Sequence, residues 1–274
     1  MPRMTNAQGF PIQISIINES TVLQDAEVAP VMAALQKQVT NDFRSAWGID
    51  AELMMVPKAA TPPPGSWWLV VLDDSDQAGA LGYHDLTTEG LPIGKVFAAS
   101  DLKAGNSWTV TASHELLEML ADPDINLTVF VQNANTTGRL YAYEVCDACE
   151  DDSLAYAIDG VLVSDFVYPA WFESFRTEGS TPFDRTGRLI APLTLAPGGY
   201  IGVFEVNSGS GWVQDTADRH PANVKHRGVV GSRRERRATP HDLWVPSLPH
   251  RKITMNAQQY QQHLQLIQKR REAA

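Results

Sequence analysis

Cysteine is almost missing from this chain, with only Cys146 and Cys149 among 274 residues. That excludes a disulfide-built scaffold. The two form a single Cys-x-x-Cys, and a zinc ribbon needs a second pair that the chain lacks. Glu144, Asp147, Glu150, Asp151 and Asp152 crowd them. Neighbouring carboxylates raise a thiol pKa instead of activating it, so a pair without a redox role is expected. Long apolar runs are missing too. The most apolar stretch, residues 67–72, has strand length and falls far short of the roughly 18–20 residues a membrane helix requires. Residues 1–10 hold an arginine but no apolar run behind it, so no secretory signal is read. The expectation is a soluble protein, cytoplasmic or virion-associated, with no membrane partner. No G-x-S-x-G, P-loop or G-x-G-x-x-G string occurs, which removes support for hydrolase-elbow, nucleotide and dinucleotide readings. No internal repeat is found.

What is present belongs to an ordinary globular chain. Hydrophobic residues make up 43% and charged residues 20%, and seven Trp, seven Tyr and nine Phe supply ample burial. The net charge of −10 conceals an asymmetry. Residues 219–274 carry 12 Lys and Arg against 3 Asp and Glu, so the rest of the chain stands at −19. A basic end on an acidic body can dock on that body, on a neighbouring subunit or on a polyanion. The run Arg233-Arg234-Glu235-Arg236-Arg237 has no interleaved aromatics, so nucleic acid is not the expected partner. Homo-oligomer or particle assembly through this arm is.

Residues 13–17 alternate and are rich in Ile, which reads as a first strand. Residues 25–47 follow with apolar positions Val28, Val31, Leu35, Val39, Phe43 and Trp47 three or four apart, a helix closed by Gly48. Residues 49–56 and 67–72 read as second and third strands, separated by a proline-rich loop. Residues 91–98, with Pro92 and Gly94, suit a fourth strand at a sheet edge. His84 and Asp85 fall in the loop before it, within reach of a cleft. A helix is expected over residues 109–121, capped by Asn106 or Ser107 and stopped by Pro123. Strands are expected over residues 140–146, 155–159 and 161–167, with Asp159-Gly160 as a tight hairpin turn. Shorter strands over residues 189–212 are broken by Gly198-Gly199 and by residues 209–211. From about residue 215 the prolines and charges suggest an extended arm, with a terminal helix over residues 256–271. The expected division is therefore residues 1–214 as one domain and 215–274 as the arm.

The chemistry concentrates in the helix of His114-Glu115-Leu116-Leu117-Glu118. At 100° per residue and with His114 at zero, Glu118 lies at about 40°, Asp122 at about 80° and Glu115 at about 100°. Leu116, Leu120 and Leu117 lie at about 200°, 240° and 300°. One arc is titratable and the opposite arc leucine. The leucines would pack on a sheet and the titratable arc would face a cleft. A His and a Glu one turn apart can ligate one ion, and a neighbouring carboxylate can take a proton from water that the ion has activated.

This string resembles the HExxH helix of zincin metallopeptidases. The order of elements before it, a strand, a helix and further strands with one at the sheet edge, is also similar to the metzincin type. The resemblance implies an α+β fold: a zincin-like mixed sheet with an active-site helix, followed here by a β-rich section and the extended C-terminal arm. Against the longer pattern HExxHxxGxxH the chain reads His114-Glu115-x-x-Glu118-x-x-Ala121-x-x-Asp124. The resemblance implies Glu115 as general base and His114, Glu118 and Asp124 as ligands of zinc or another divalent ion, with Asp122 and Glu144 as rival third ligands. Glu118 replaces the second His and Ala121 the usual Gly, and Ala121 would be strained if the position needs φ > 0. No methionine turn follows. The residues 113–123, 143–147 and 163–172 also look like segments of a group of uncharacterised bacterial and phage proteins.

The function this implies is metal-dependent hydrolysis of a peptide bond in a peptide or protein substrate, with metal-bound water as nucleophile. The rival is a non-enzymatic structural or assembly protein, such as a phage or particle component, on a degenerate zincin scaffold.

Overall fold

In a computed structural model, which describes residues 12–57, 60–76, 80–134, 137–209 and 211–217, the first half of the chain builds one mixed sheet. Its strands are β1 (Ile12–Asn18), β2 (Ala51–Val56), β3 (Trp67–Leu72), β4 (Gly82–Leu86) and β5 (Pro92–Phe97). The order across the sheet is β2-β1-β3-β5-β4. The first three pairings are parallel, and β4 runs antiparallel to β5 at the edge. Parallel neighbours need a crossover, and the long helical stretch between β1 and β2 supplies it. It runs as α1 (Asp25–Lys37), widens to a π-helical segment at Gln38–Phe43 and closes as α2 (Arg44–Trp47). Gly48 ends it at φ 73, as the sequence suggested.

The edge was expected at residues 91–98 but lies one strand away. β5 is buried at every position and pairs on both sides, whereas β4 is the terminal strand. Pro92 survives in an inner strand because it sits at the strand's first position, where the ladder can spare a donor. His84 and Asp85, read as loop residues, are therefore in a strand.

Helix α3 (Ala98–Ala104) was not foreseen. It leads into α4 (Trp108–Ala121), which lies under the sheet against β3, β4 and β5. Leu116, Leu117 and Leu120 meet Ile14, Ile16, Leu69, Val71 and Val96 of the sheet and Val28, Val31 and Leu35 of α1 in one continuous core. The opposite face of the sheet carries a small second cluster of Ile17, Val56, Val70 and Ile93.

After α4 come β6 (Thr128–Ala134), β7 (Thr137–Ala142), β8 (Tyr156–Ile158), β9 (Val161–Val163), β10 (Tyr200–Glu205) and β11 (Trp212–Thr216). β6, β7, β10 and β11 form an antiparallel sheet in the order β11-β10-β7-β6. β8 and β9 form the foreseen hairpin, turning through Asp159 and Gly160 at φ 52 and 82. Their neighbours Val145, Cys146, Phe166, Trp171 and Phe183 join the same core as the α4 leucines. The expected architecture of a mixed sheet with helices followed by a β-rich section thus holds. Residues 218–274, where the basic run lies and the terminal helix was expected, fall outside the described residues, and among those described no helix is long and apolar enough to cross a membrane.

Candidate metal centre

Helix α4 is buried along nearly its whole length, including its titratable arc. His114, Glu115, Glu118 and Asp122 are 8%, 5%, 3% and 0% exposed. A merely solvated carboxylate face would not look like this, because burying ionised groups is costly unless they are paired or bind an ion.

Two glycines let the sheet come close enough to cover that arc. A Cβ at Gly82 of β4 would stand 2.8 Å from the Glu115 Cγ and 2.7 Å from the Thr111 Cγ2. One at Gly94 of β5 would stand 2.8 Å from a Leu69 methyl and 3.5 Å from the Glu115 Cβ. A larger residue at Gly82 would push the helix, or Glu115, away, and one at Gly94 would displace the Leu69 side chain. The other side of α4 is fixed by polar contacts. The Ser113 hydroxyl donates to the Gln38 side-chain oxygen at 2.6 Å and accepts from the Ser164 backbone N–H at 3.0 Å. Gln38 in turn donates to the Ser164 carbonyl and to Tyr156. The π-helical widening of the crossover begins at Gln38. Ser113→Ala would leave a buried acceptor and a buried donor without this partner, and should lower unfolding free energy by about 1–3 kcal/mol. Denaturant titration would check this, with a shifted midpoint at an unchanged slope.

On this support His114 meets two carboxylates. Its Nε2 lies 3.3 Å from Glu118 Oε2 and 3.3 Å from Asp147 Oδ1. Asp147 starts a 3-10 turn, Asp147–Cys149, packed on β10. Gly199 allows this packing, since a Cβ there would stand 2.2 Å from the Ala148 carbonyl oxygen. The other Glu118 oxygen, Oε1, accepts the Cys146 backbone N–H at 3.2 Å. Cys146 and Cys149 are themselves buried free thiols. Burial first, then nearby carboxylates, push both well above the usual thiol range, in keeping with the inert pair expected.

A second meeting point lies on the edge strand. His84 Nδ1 is 3.4 Å from Glu115 Oε2 and 3.6 Å from Glu118 Oε2, and its Nε2 is 3.9 Å from Glu144 Oε2. Only two of the chain's seven histidines, His84 and His114, precede residue 220, and both arrive here. Among the described residues, the groups able to hold a metal ion are His114-Glu118-Asp147 and His84-Glu115-Glu118.

The sequence-derived site residues thus divide. His114, Glu115 and Glu118 come together as expected. Asp124 does not join them. It is exposed in the turn after α4, where Ile125 takes φ 45 and is itself buried. Asp122 ties that turn, accepting the backbone N–H groups of Asn126 and Leu127 at 3.1 and 2.9 Å. With its carboxylate so used, the chain leaves the helix in a direction that carries Asp124 outward. Ala121 is still helical and bears no positive φ, so the strain considered for it does not arise. Glu144 approaches His84 but belongs to neither of the two groups. Asp147 and His84 were missed as site members. Asp147 was visible only as one acid among several around the cysteines. His84 had a usable signal in the alternation of residues 82–86, which puts Gly82, His84 and Leu86 on one face of a strand.

The electrostatics follow from burial and crowded carboxylates. Burial works against a charge on His114, but Glu118, the hydrogen bonds to Asp147 and Glu118, and Glu115 outweigh it and hold its pKa well above the ordinary imidazole value. Burial and the Glu118 charge push Asp147 up to about 6, against the pull of its hydrogen bonds with His114 and Tyr200. Carboxylates are thus crowded around His114 where little water can stabilise their charge. The distances also suit an ion. Zinc bonds to nitrogen and oxygen of about 2.0–2.2 Å place tetrahedral ligand atoms about 3.3–3.6 Å apart. One imidazole and two carboxylates are a hard donor set that suits zinc, and manganese or calcium as well. No protein-family model, no curated protein and no solved structure matches the chain.

Proposed function

We propose that the protein is a zincin-like metal-dependent hydrolase of peptide bonds, with the ion held by His114, Glu118 and Asp147 and with Glu115 as general base. The observation that carries this reading is the pair of 3.3 Å separations from His114 Nε2 to Glu118 and Asp147, the spacing of ligands around one zinc-sized ion. A divalent ion there would act as a Lewis acid and bring the pKa of water to about 7.

The protein's own groups supply the rest. Glu115 is adjacent in sequence to His114 but turned toward β4, so it is not consumed as a partner of Asp147. It takes a proton from the attacking water and returns it to the departing amine, which closes the proton balance of hydrolysis. Glu118 Oε1 is fixed by the Cys146 N–H, which sets the direction of Oε2. Asp147 is the third ligand in place of Asp124. A peptide substrate suits the sheet edge: among the described residues β4 pairs on one side only, and an extended chain can add there by main-chain hydrogen bonds. His84 of that strand then lies beside the substrate.

Elemental analysis of metal-replete protein tests the first half of the proposal. Bound divalent metal in stoichiometric amount is expected, and His114→Ala should lose the ion that His114 holds while retaining the parent's circular dichroism. No stoichiometric metal in the parent chain would overturn the reading.

A further inference from the structure

We infer that the same pocket holds a second divalent cation, bound by His84, Glu115 and Glu118 and sharing the Glu118 Oε2 atom with the first; this rests on the metal-centre reading above.

Three observations lead there. The two groups able to hold an ion have Glu118 in common. The atom in common is a single oxygen, because both His84 Nδ1 (3.6 Å) and His114 Nε2 (3.3 Å) approach Oε2 while Oε1 is held by the Cys146 N–H. One carboxylate oxygen between two sets of ligands is a bridge, and bridged ions sit about 3.5–4 Å apart in two-metal sites. The two histidines reach it from different elements and fall in different groups. His84 comes from the sheet edge with Glu115, and His114 comes from the helix with Asp147. Glu144 Oε2 lies 3.9 Å from Nε2 of His84, the nitrogen on the side away from Glu115 and Glu118.

The second ion has a functional consequence. It occupies the Glu115 carboxylate, so the base that hydrolysis uses is withdrawn when the second site fills. Cation concentration then acts on the enzyme in two senses, first completing the site and then closing it.

Binding of Zn²⁺ and, separately, Mn²⁺ to metal-stripped full-length protein would test this, by titration calorimetry and by elemental analysis after equilibrium dialysis. Two ions per chain are expected. His84→Ala and Glu115→Gln should each retain one ion at parental affinity and weaken the second at least about 100-fold. Glu115→Gln is nearly isosteric and serves where His84→Ala disturbs the edge strand. One ion per chain, unaffected by either substitution, would overturn the second site and leave the first intact. One ion lost in both His84→Ala and His114→Ala would overturn it in favour of a single ion gripped by both histidines. No ion in the parent chain would overturn this inference and the metal-centre reading together.

Discussion

If the protein hydrolyses peptides as proposed, Glu115→Gln should lower turnover by about 10²–10⁴-fold while an ion at His114, Glu118 and Asp147 stays bound. The range is that of a positioned general base. The substitution keeps the shape of the side chain between Gly82 and α4 and removes only its capacity to accept a proton. Since Gly82 and Gly94 leave no spare room around Glu115, a variant of the same volume is the one that isolates chemistry from packing. The measurement is turnover of a peptide library with a single equivalent of zinc, beside metal content and circular dichroism. Unchanged turnover in Glu115→Gln would remove Glu115 from the mechanism. Lost metal at the first site would mean that Glu115 holds that ion instead of serving it.

Asp147→Ala should bind the first ion at least about 100-fold more weakly than the parent chain, whereas Asp124→Ala should bind it unchanged. Loss of a supporting second-shell partner alone commonly costs 10–100-fold, and loss of a direct ligand should exceed that. The contrast separates two candidates that the sequence motif cannot. Asp124 stands where the zincin pattern would put a third ligand, yet it is exposed beyond the Asp122 turn. Asp147 is 23 positions farther along, buried and 3.3 Å from His114. Titration calorimetry on both variants decides the matter, and equal losses in the two would return Asp124 to the site.

The local pattern made the helix of the candidate site legible. Three leucines on one arc and four titratable groups on the other are set by 3.6 residues per turn, a property of the chain's immediate neighbourhood. The same holds for β1, β3, the α1 crossover and its Gly48 stop, and the Asp159-Gly160 turn. Less legible were the elements defined by their partners. β4 is short, with charged and aromatic residues and a glycine, and becomes a strand by pairing with β5. β6 likewise forms by pairing with β7, not by an internal signal of its own.

The sequence alone determined the scaffold class, the burial of a leucine face beneath a mixed sheet, and the presence of His114, Glu115 and Glu118 on one turn-spaced arc. The tertiary structure alone decided which way each of those groups turns and what meets it. Glu115 faces His84 because the edge strand crosses α4 on that side with glycines at the contacts. Glu118 and His114 face Asp147 because the antiparallel section folds back and packs the Asp147–Cys149 turn against Gly199. Helical periodicity extends over a few turns and fixes spacing within one element. A ligand set drawn from a helix, a sheet edge and a distant turn depends on contacts between residues 30 to 60 positions apart, which no local period encodes.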